Sequence, residues 1–388
     1  MSITSIASEV EFGWFIPTNG DGEFVGVPVE REPSQQYFVD VARAAEKAGY
    51  EFALIPAGGD CWDGWIVGSW VASATTRLKP LVAMRPGLIT PVLAARMAAT
   101  LDRMSGGRAL VNVVTGHYPI DLKATGDPLH GSHDERYERT REFLEVVKGV
   151  WHHEGGYANG YTFTGSHYQV EGGVCLPAPV QKPHPPLYFG GSSEAGKRVA
   201  AEAADVYLMW AEPLDWISGQ IAEMEGYLKE LEARKGIRRQ LKYGIRAQLV
   251  VRETEEEAWA AAWRILSKAD PEKVTSREKL HANTDATNQK RQMDLWQQSQ
   301  QNDYVIGPNL WSGLSAIRGG GAVAFVGTPE QVSDRLLEFI DGGVTSFILS
   351  GYPHLEEAEI SGRLLLPLVK RKLSERRPGQ QQGIVPTI

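Results

Sequence analysis

The sequence predicts an α/β protein folded as a (β/α)8 TIM barrel, because eight short apolar segments alternate with longer amphipathic ones. The apolar segments are rich in β-branched and aromatic residues, as is typical of buried parallel strands. The longer segments repeat apolar residues every three or four positions, which is the period of an amphipathic helix. An open doubly wound sheet is the alternative, but no GxGxxG sequence follows the first strand.

The predicted elements follow one another in barrel order. We predict strands at residues 12–17, 52–55, 78–84, 109–114, 187–189, 206–210, 243–251 and 345–349. We predict helices at residues 37–47, 92–104, 135–150, 194–203, 216–234, 253–267 and 331–340. Gly49 follows the first of these helices, where a helix C-terminus favours glycine.

Two insertions interrupt the alternation within what we expect to be a single domain over residues 1–388. Residues 151–186, after the fourth strand, carry hairpin-like aromatic runs separated by glycine and asparagine. Residues 268–317, after the seventh strand, are long and polar, which predicts a functional lid or a disordered loop. The tail at 376–388 is rich in proline and glutamine and is expected either to be flexible or to dock on a neighbouring subunit.

Composition excludes several classes of protein. The chain carries 40 Lys and Arg against 48 Asp and Glu, without a basic block, which argues against nucleic acid or an anionic membrane as partner. No apolar run approaches the roughly 18 residues of a membrane span, and no secretory leader is recognised, so a cytoplasmic protein is expected. The only cysteines are Cys61 and Cys175, which excludes a disulfide framework, and no histidine spacing suggests a metal.

In a TIM barrel the functional groups lie where the strands end. The fifth strand leads into Gly190, Gly191, Ser192 and Ser193 directly before a helix, a pattern that favours binding of a phosphate. The alternative is that Ser192 or Ser193 only caps that helix.

The seventh strand contains an unusual charged residue. Its alternation turns Ile245, Ala247, Leu249 and Val251 to one side, so Arg246 and Gln248 are expected to point into the barrel. A guanidinium there needs an anionic partner, because an unpaired buried charge is costly. That partner is either a carboxylate of the protein or an anionic substrate or cofactor, which arginine can bind through two nitrogens.

Two further residues have open interpretations. Cys61 is a possible nucleophile, but Asp60 and Asp63 should raise its pKa, so a packing role near the site is favoured. Tyr137 lies in SHDERYE at a helix start, where a solvent-facing position is the alternative to a role in binding.

Several segments together match a known family pattern. They are WFIPTNGDGEFVG, YEFALIPAGGDCWDGWIV, RPGLITPVLAARMAATLDRMSGGRALVNVVTG, SHDERYE, PPLYFGGSSEAGKRVAAEAADVYLMWAEP, YGIRAQLVVRET, PNLWSGLSAIRGGGAVAFVG and LSGYPHLEEAEI. Over nearly the whole chain, the sequence thereby resembles the bacterial-luciferase-like flavin monooxygenases, and among them the alkanesulfonate monooxygenases that depend on reduced FMN.

The resemblance implies a site for noncovalent FMN and for a sulfonate. The residues that it assigns to FMN are Asn112, Thr115, Tyr137, Gly191, Ser192 and Ser193. The residues that match the active site of the family are Cys61, Trp210, Arg246, Arg318 and Tyr352. Arg246 and Arg318 would hold the sulfonate, with Trp210 beside it, while Tyr352 would orient or protonate the flavin peroxide.

The implied reaction is oxygen-dependent cleavage of the C–S bond of an organosulfonate to an aldehyde and sulfite. Its cofactor would be reduced FMN (FMNH2), supplied by a separate NAD(P)H-dependent FMN reductase, with O2 as cosubstrate. The resemblance also implies a homodimer or homotetramer.

The sequence departs from the family pattern at three positions. Gln248 and Asn19 stand where the family usually has histidine, and Trp62 lies in CWDGW where CEDAW is usual. Glutamine and asparagine cannot titrate, so an acid or base role would move to His354 or His117. Trp62 and the amides of Asn19 and Gln248 would suit the hydroxyl groups of a bulkier sulfonate such as sulfoquinovose.

Other functions remain open at the level of sequence. A sulfone or another organosulfur compound could replace the sulfonate as substrate. A non-catalytic flavin- or anion-binding barrel and a deazaflavin-dependent oxidoreductase are the alternatives from other classes.

Overall fold

The computed structural model describes residues 10–116, 118–154, 156–282, 284 and 286–376. The strands in this part of the chain are β1 (Glu11–Phe15), β2 (Phe52–Ile55), β3 (Lys79–Met84), β4 (Leu110–Val113), β5 (Tyr161–Thr164), β6 (Gln169–Gly173), β7 (Leu187–Phe189), β8 (Val206–Trp210), β9 (Lys242–Val251), β10 (Val305–Gly307), β11 (Leu310–Trp311), β12 (Ala324–Gly327) and β13 (Val344–Ser350). The order β1-β2-β3-β4-β7-β8-β9-β13 closes on itself as an eight-stranded parallel barrel, which confirms the predicted TIM barrel.

Helices surround the barrel. Those in the described residues are α1 (Gln35–Ala48), α2 (Gly64–Ala74), α3 (Pro91–Met104), α4 (Pro119–Ala124), α5 (His133–His152), α6 (Glu194–Ala203), α7 (Leu214–Lys235), α8 (Glu255–Leu266), α9 (Pro271–Ala282), α10 (Thr287–Ser299), α11 (Pro329–Asp341), α12 (His354–Leu364) and α13 (Leu366–Glu375). None of these helices is long and apolar enough to cross a membrane.

All eight predicted barrel strands exist, with ends within about two residues of those expected from pattern alone. Their near-continuous burial explains this agreement, because β2 is buried throughout and β9 is buried at every position after Lys242. The outward set of β9, including Ile245 and Leu249, packs in the main core between strands and helices. Below the site, the barrel interior is filled by a second cluster that includes Phe52, Leu81 and Ile348.

Helix α2 was not predicted from sequence. Its sequence GWIVGSWVASA has no polar face, so it lacks the period by which amphipathic helices are recognised. Its start is nevertheless encoded, because the Asp63 side chain accepts the backbone N–H groups of Trp65 and Ile66 at 3.0 and 2.9 Å.

The first insertion contains the expected hairpin, in which β5 and β6 pair antiparallel. Glu142 of α5 anchors it by accepting backbone N–H groups from Ser166, His167 and Tyr168 at 2.8 to 3.1 Å. These hydrogen bonds hold the pKa of Glu142 below its usual value, although burial acts to raise it.

The second insertion is more ordered than its polarity suggests. In place of the disordered loop considered from sequence, α9, α10, β10 and β11 occupy most of this segment. Helix α10 buries Gln289 and Gln292 beside Met293 and Leu295, so glutamines supply part of the face that apolar residues supply elsewhere. That is why hydrophobic periodicity did not reveal the helix. The predicted tail falls outside the described residues from position 377 onward.

Strand β9 rises above the rest of the barrel and sets the geometry of the site. Its first half pairs with β8 up to the register Trp210 to Arg246, and its second half pairs with β12 from the register Ala324 to Gln248. Arg246 therefore lies at the level where β8 ends, directly at the carboxyl end of the barrel.

Candidate functional site

Two adjoining cavities open at the carboxyl ends of the barrel strands. The first has a volume of about 290 Å³ and the second about 570 Å³. Phe15, Arg318 and Gly319 are among the residues that line both. The predicted cofactor residues Asn112, Thr115, Tyr137, Gly191, Ser192 and Ser193 all line the first cavity.

The glycine-serine turn at 190–193 forms one end of the first cavity. Ser193 is the N-cap of α6, and its Oγ accepts the backbone N–H of Gly196 at 3.2 Å, so the capping interpretation is correct for this serine. Gly191 packs so tightly that a Cβ there would lie 2.7 Å from the Phe189 ring and 2.9 Å from the Tyr137 ring. The turn thus combines a helix N-terminus, a cavity wall and a position where only glycine fits.

His133 also lines this cavity and was not identified from sequence as a binding residue. It begins α5, and its ring packs edge-on against Tyr137 at a centroid distance of 5.0 Å. Its Nδ1 lies 2.6 Å from Oδ1 of Asp134. The i to i+4 spacing of His133 and Tyr137 in SHDERYE was the available signal, since such residues share one face of a helix.

Arg246 points into the barrel, as predicted, and lines the first cavity with only 5% of its surface exposed. Its guanidinium donates to the Ala247 carbonyl at 2.6 Å and to the Ser350 hydroxyl at 2.7 Å. It also lies over the Phe15 ring at 4.9 Å. Burial, together with the nearby positive charge of Arg318, lowers the pKa of Arg246 well below its ordinary value.

Arg318 lines both cavities, and its guanidinium also lies over the Phe15 ring, 5.9 Å from the ring centre. Its Nε donates to the Tyr352 hydroxyl oxygen at 2.6 Å, and its Nη1 donates to the Gly319 carbonyl at 2.9 Å. Among the residues that the structure describes, no carboxylate pairs with Arg246 or Arg318. The alternative of an internal salt bridge for Arg246 is therefore not supported in this part of the chain.

His354 and Asp21 form a buried pair at the wall of the second cavity. The Nδ1 and backbone N–H of His354 lie 2.8 and 2.7 Å from the two Asp21 carboxylate oxygens, and the Tyr37 hydroxyl also donates to Asp21. Although burial raises it, the charge and hydrogen bonds of His354 hold the pKa of Asp21 below its usual value. Nε2 of His354 is the ring nitrogen that makes no hydrogen bond within the described structure.

Five other sequence-predicted residues divide between the cavities and their surroundings. Trp210 lines the first cavity, and Asn19 and Tyr352 line the second, where Asn19 Nδ2 donates to Asp60 at 3.1 Å. Gln248 and Trp62 line neither cavity, contrary to their predicted roles in contact with ligand.

The reasons for these two corrections differ. Gln248 is buried behind Arg246, where its amide hydrogen-bonds to Ser350 and Gly321. Trp62 turns outward, is 47% exposed and packs edge-on against Phe38. His117 lies outside the described residues.

The roof of the first cavity comes partly from the second insertion, because Thr287 and Asn288 of α10 line it. Arg291 of the same helix donates to the fully buried Glu212, which follows β8, at 2.8 Å. Burial raises the pKa of Glu212, and the charge of Arg291 opposes this shift. Gln220 also donates to Glu212 at 2.8 Å, so α10 is fastened to the barrel rim by a buried polar cluster.

Cys61 lines the second cavity and carries a thiol that resists ionisation. Burial and the charge of Asp60 raise its pKa to about 11, in agreement with the sequence argument against a nucleophile.

We therefore expect alkylation of Cys61 by iodoacetamide to accelerate about tenfold for each pH unit between pH 7 and 10, because the reactive thiolate is still a minor species there. Mass spectrometry of the labelled peptide gives the rate, with glutathione as a control that levels off near its lower pKa. A plateau below pH 8 would contradict the assignment and restore Cys61 as a nucleophile.

Comparison with known proteins places this architecture in one family. A family model described as luciferase-like monooxygenase matches residues 10–346. Riboflavin lyase, solved with modified FMN and riboflavin, is 21% identical with a TM-score of 0.74, over 94% of this chain and 92% of that one. EDTA monooxygenase from Chelativorans sp. BNC1 is 18% identical with a TM-score of 0.74, over 94% of both chains. A long-chain alkane monooxygenase is 19% identical with a TM-score of 0.72, over 94% and 92%.

A barrel closed by eight parallel strands, with its polar groups gathered at their carboxyl ends, is the scaffold of many enzymes. The family model that matches residues 10–346 distinguishes among these classes of enzyme. The chain belongs to the luciferase-like monooxygenase family.

Proposed function

We propose that this protein is a two-component monooxygenase that uses FMNH2 and O2 to cleave the C–S bond of an organosulfonate. The observation that carries the proposal is the pair of guanidiniums of Arg246 and Arg318, which both line the first cavity beside the Phe15 ring without a carboxylate partner in the described residues. Two such cations beside an aromatic ring favour an anion whose oxygens can accept several N–H groups, as a sulfonate can.

The residues that line the first cavity would suit FMN. The turn at 190–193 offers backbone N–H groups at the N-terminus of α6, and His133 and Tyr137 line the same cavity, which suits a phosphate group. Asn112 and Thr115 would then contact the flavin ring at the ends of the barrel strands. Reduced FMN would supply the electrons for activation of O2.

The residues of the second cavity would handle the substrate and its proton. Because the Tyr352 oxygen accepts an N–H from Arg318, its own hydroxyl hydrogen is left to donate to a bound group. In the neutral form of His354, Asp21 would accept the Nδ1 hydrogen, which leaves Nε2 as the nitrogen to take up a proton from the carbon that bears sulfur. Nε2 is buried in this structure, so the transfer would require a rearrangement around the His354 ring, against which the Phe15 and Tyr352 rings pack.

Overall, one oxygen atom of O2 would enter the aldehyde and the other would leave as water, while FMNH2 becomes FMN and sulfite is released. Arg246 and Arg318 would stabilise the negative charge that the departing sulfite carries. Insertion 268–317 would act as a lid that excludes water, since α10 already covers part of the first cavity.

A bulkier sulfonate such as sulfoquinovose is the second candidate substrate. The size of the second cavity, about 570 Å³, favours it, as do Asn19, Asp60, Arg85 and Asp121 in its walls. Planar amide, carboxylate and guanidinium groups can each share hydrogen bonds with sugar hydroxyls.

The test is sulfite release from a panel containing linear alkanesulfonates, sulfoquinovose and a dialkyl sulfone. FMN is kept reduced by a separate NAD(P)H-dependent reductase, the partner that we propose, in the presence of air. We expect sulfite and one equivalent of aldehyde from at least one sulfonate. Bound flavin without sulfite from any sulfonate would refute the proposal, and turnover of the sulfone alone would reassign the substrate class.

The cofactor assignment makes a separate prediction at the 190–193 turn. Gly191→Ala should weaken FMN binding at least about tenfold, because the added Cβ would displace the Phe189 and Tyr137 rings. Gly190→Ala is the matched control, since its Cβ meets nothing closer than 3.5 Å and should change affinity less than about threefold. Flavin fluorescence titrations with FMN and riboflavin measure both variants. Equal losses in the two variants, or no loss of FMN binding in Gly191→Ala, would contradict the assignment.

A further inference from the structure

Gln248 lines neither cavity, yet it is connected to Arg246, which lines the first cavity. Its Oε1 lies 2.7 Å from the Ser350 hydroxyl, and that hydroxyl lies 2.7 Å from Nη2 of Arg246. On its other side, Nε2 of Gln248 donates to the Gly321 carbonyl at 3.1 Å. Gln248, Ser350 and Arg246 thus form one chain of hydrogen bonds across β9 and β13.

The direction of every hydrogen bond in this chain is fixed. A carbonyl only accepts, so Gly321 requires the Gln248 amide to turn its NH2 group toward the loop and its oxygen toward Ser350. A guanidinium only donates, so the Ser350 oxygen must accept from Arg246 and give its single hydrogen to Gln248. Only a side chain that is a donor on one side and an acceptor on the other completes this arrangement.

Apart from Arg246 itself, the chain carries no charge. The groups that hold the Arg246 guanidinium are the Ser350 hydroxyl and the backbone carbonyls of Ala247 and Ile348. None of them is ionisable, so they orient the guanidinium and leave its positive charge uncompensated.

The same cluster ties Arg246 to the loop that carries Arg318. Gly321 has φ +70°, and a Cβ at this position would lie 2.5 Å from Cγ of Arg246. The arginine stem therefore lies directly on the backbone of this loop, three residues beyond Arg318. The hydrogen bond from Gln248 to Gly321 thereby joins the cluster that holds Arg246 to the loop that carries Arg318.

We propose that Gln248 is a positioning residue that, through Ser350, fixes the Arg246 guanidinium while leaving its charge available to an anionic group. This role of Gln248 rests on the proposed function, in which Arg246 is the anion-binding group. The uncharged amide of Gln248 suits this buried position, because a carboxylate there would neutralise the Arg246 guanidinium that binds the anion.

The experiment compares anion binding by Gln248→Leu, Gln248→Glu, Ser350→Ala and the double variant Gln248→Leu/Ser350→Ala with that of the wild type. The probe is inorganic sulfate, measured by calorimetry at pH 7.5, with 1-hexanesulfonate as a second probe. FMN affinity is measured in parallel. Gln181→Leu serves as the control, because Gln181, like Gln248, donates to a backbone carbonyl but lines neither cavity.

We expect Gln248→Leu and Ser350→Ala each to weaken sulfate binding about tenfold, and the double variant to be no weaker than either single one, because all break the same chain. Gln248→Glu should weaken it further by neutralising Arg246. FMN affinity and the Gln181→Leu variant should change less than about threefold.

Additive losses in the double variant, equal losses of FMN, or tight sulfate binding by Gln248→Glu would overturn the proposal. The positioning role and the proposed function can fail separately. If the wild type binds sulfate but not 1-hexanesulfonate, the sulfonate assignment fails, and the comparison among variants with sulfate still decides the role of Gln248.

Discussion

Replacing Arg246 with alanine is expected to lower kcat/KM for the sulfonate at least about a thousandfold while changing FMN affinity less than about threefold. Removing one partner of a buried charged contact costs roughly 2–5 kcal/mol, and about 4 kcal/mol corresponds to three orders of magnitude. Within the part of the chain that the structure describes, Arg246 donates to two backbone carbonyls and to the Ser350 hydroxyl, none of which is charged, so its positive charge would be available to the substrate.

The same substitution should not destabilise the protein. A buried guanidinium without a counter-charge pays for its desolvation, so its removal is expected to leave the melting temperature unchanged or higher. Steady-state kinetics, FMN titration and thermal unfolding together make the measurement. Arg264→Ala is the control, because Arg264 is an exposed arginine paired with Glu23. Loss of FMN binding in parallel with activity would show that Arg246 serves the cofactor instead.

Replacing Arg291 with methionine is expected to lower the free energy of unfolding by about 3 kcal/mol at pH 8. The variant leaves the carboxylate of Glu212 buried with Gln220 as its remaining hydrogen-bond donor among the contacts described. The value lies at the low end for a buried pair because the Arg291 side chain is 21% exposed.

The sign of the pH dependence follows from the pKa of Glu212, which burial already raises and which the loss of Arg291 would raise further. A carboxyl group whose pKa is higher in the folded than in the unfolded state does not lower the free energy of unfolding while it is protonated in both states. Stability is lost as the pH rises from the unfolded pKa through the folded one, so the destabilisation at pH 5 should be smaller than at pH 8.

Urea unfolding at the two pH values measures this difference. Glu212→Gln/Arg291→Met should recover most of the loss, because it removes the buried charge and keeps the oxygen that accepts from Gln220. Arg264→Met, which breaks an exposed ion pair, should cost less than about 1 kcal/mol. A loss in Arg291→Met that is independent of pH would mean that packing of α10, rather than the ion pair, stabilises the barrel rim.

The sequence by itself determined the barrel and the inward direction of Arg246. Both depend on local alternation, since strands buried on both faces read as short apolar runs and the period of two residues sets which side chains face inward. The turn at 190–193 was recognisable for the same reason, because a glycine-serine pair between a strand and a helix is a local pattern. Helices α2 and α10 were not predicted, because α2 lacks a polar face and α10 buries glutamines.

Only the tertiary structure decided which polar groups meet. Asp21 and His354 are 333 positions apart, and Arg318 reaches Tyr352 across 34, so no spacing in the sequence indicates either contact. The structure also shows that Gln248 lies behind the predicted site rather than in it, and that Trp62 faces outward and packs against Phe38. Periodicity records how a segment faces its own strand or helix, whereas hydrogen bonds between strand ends depend on how the barrel closes, and closure brings together residues that are distant in sequence.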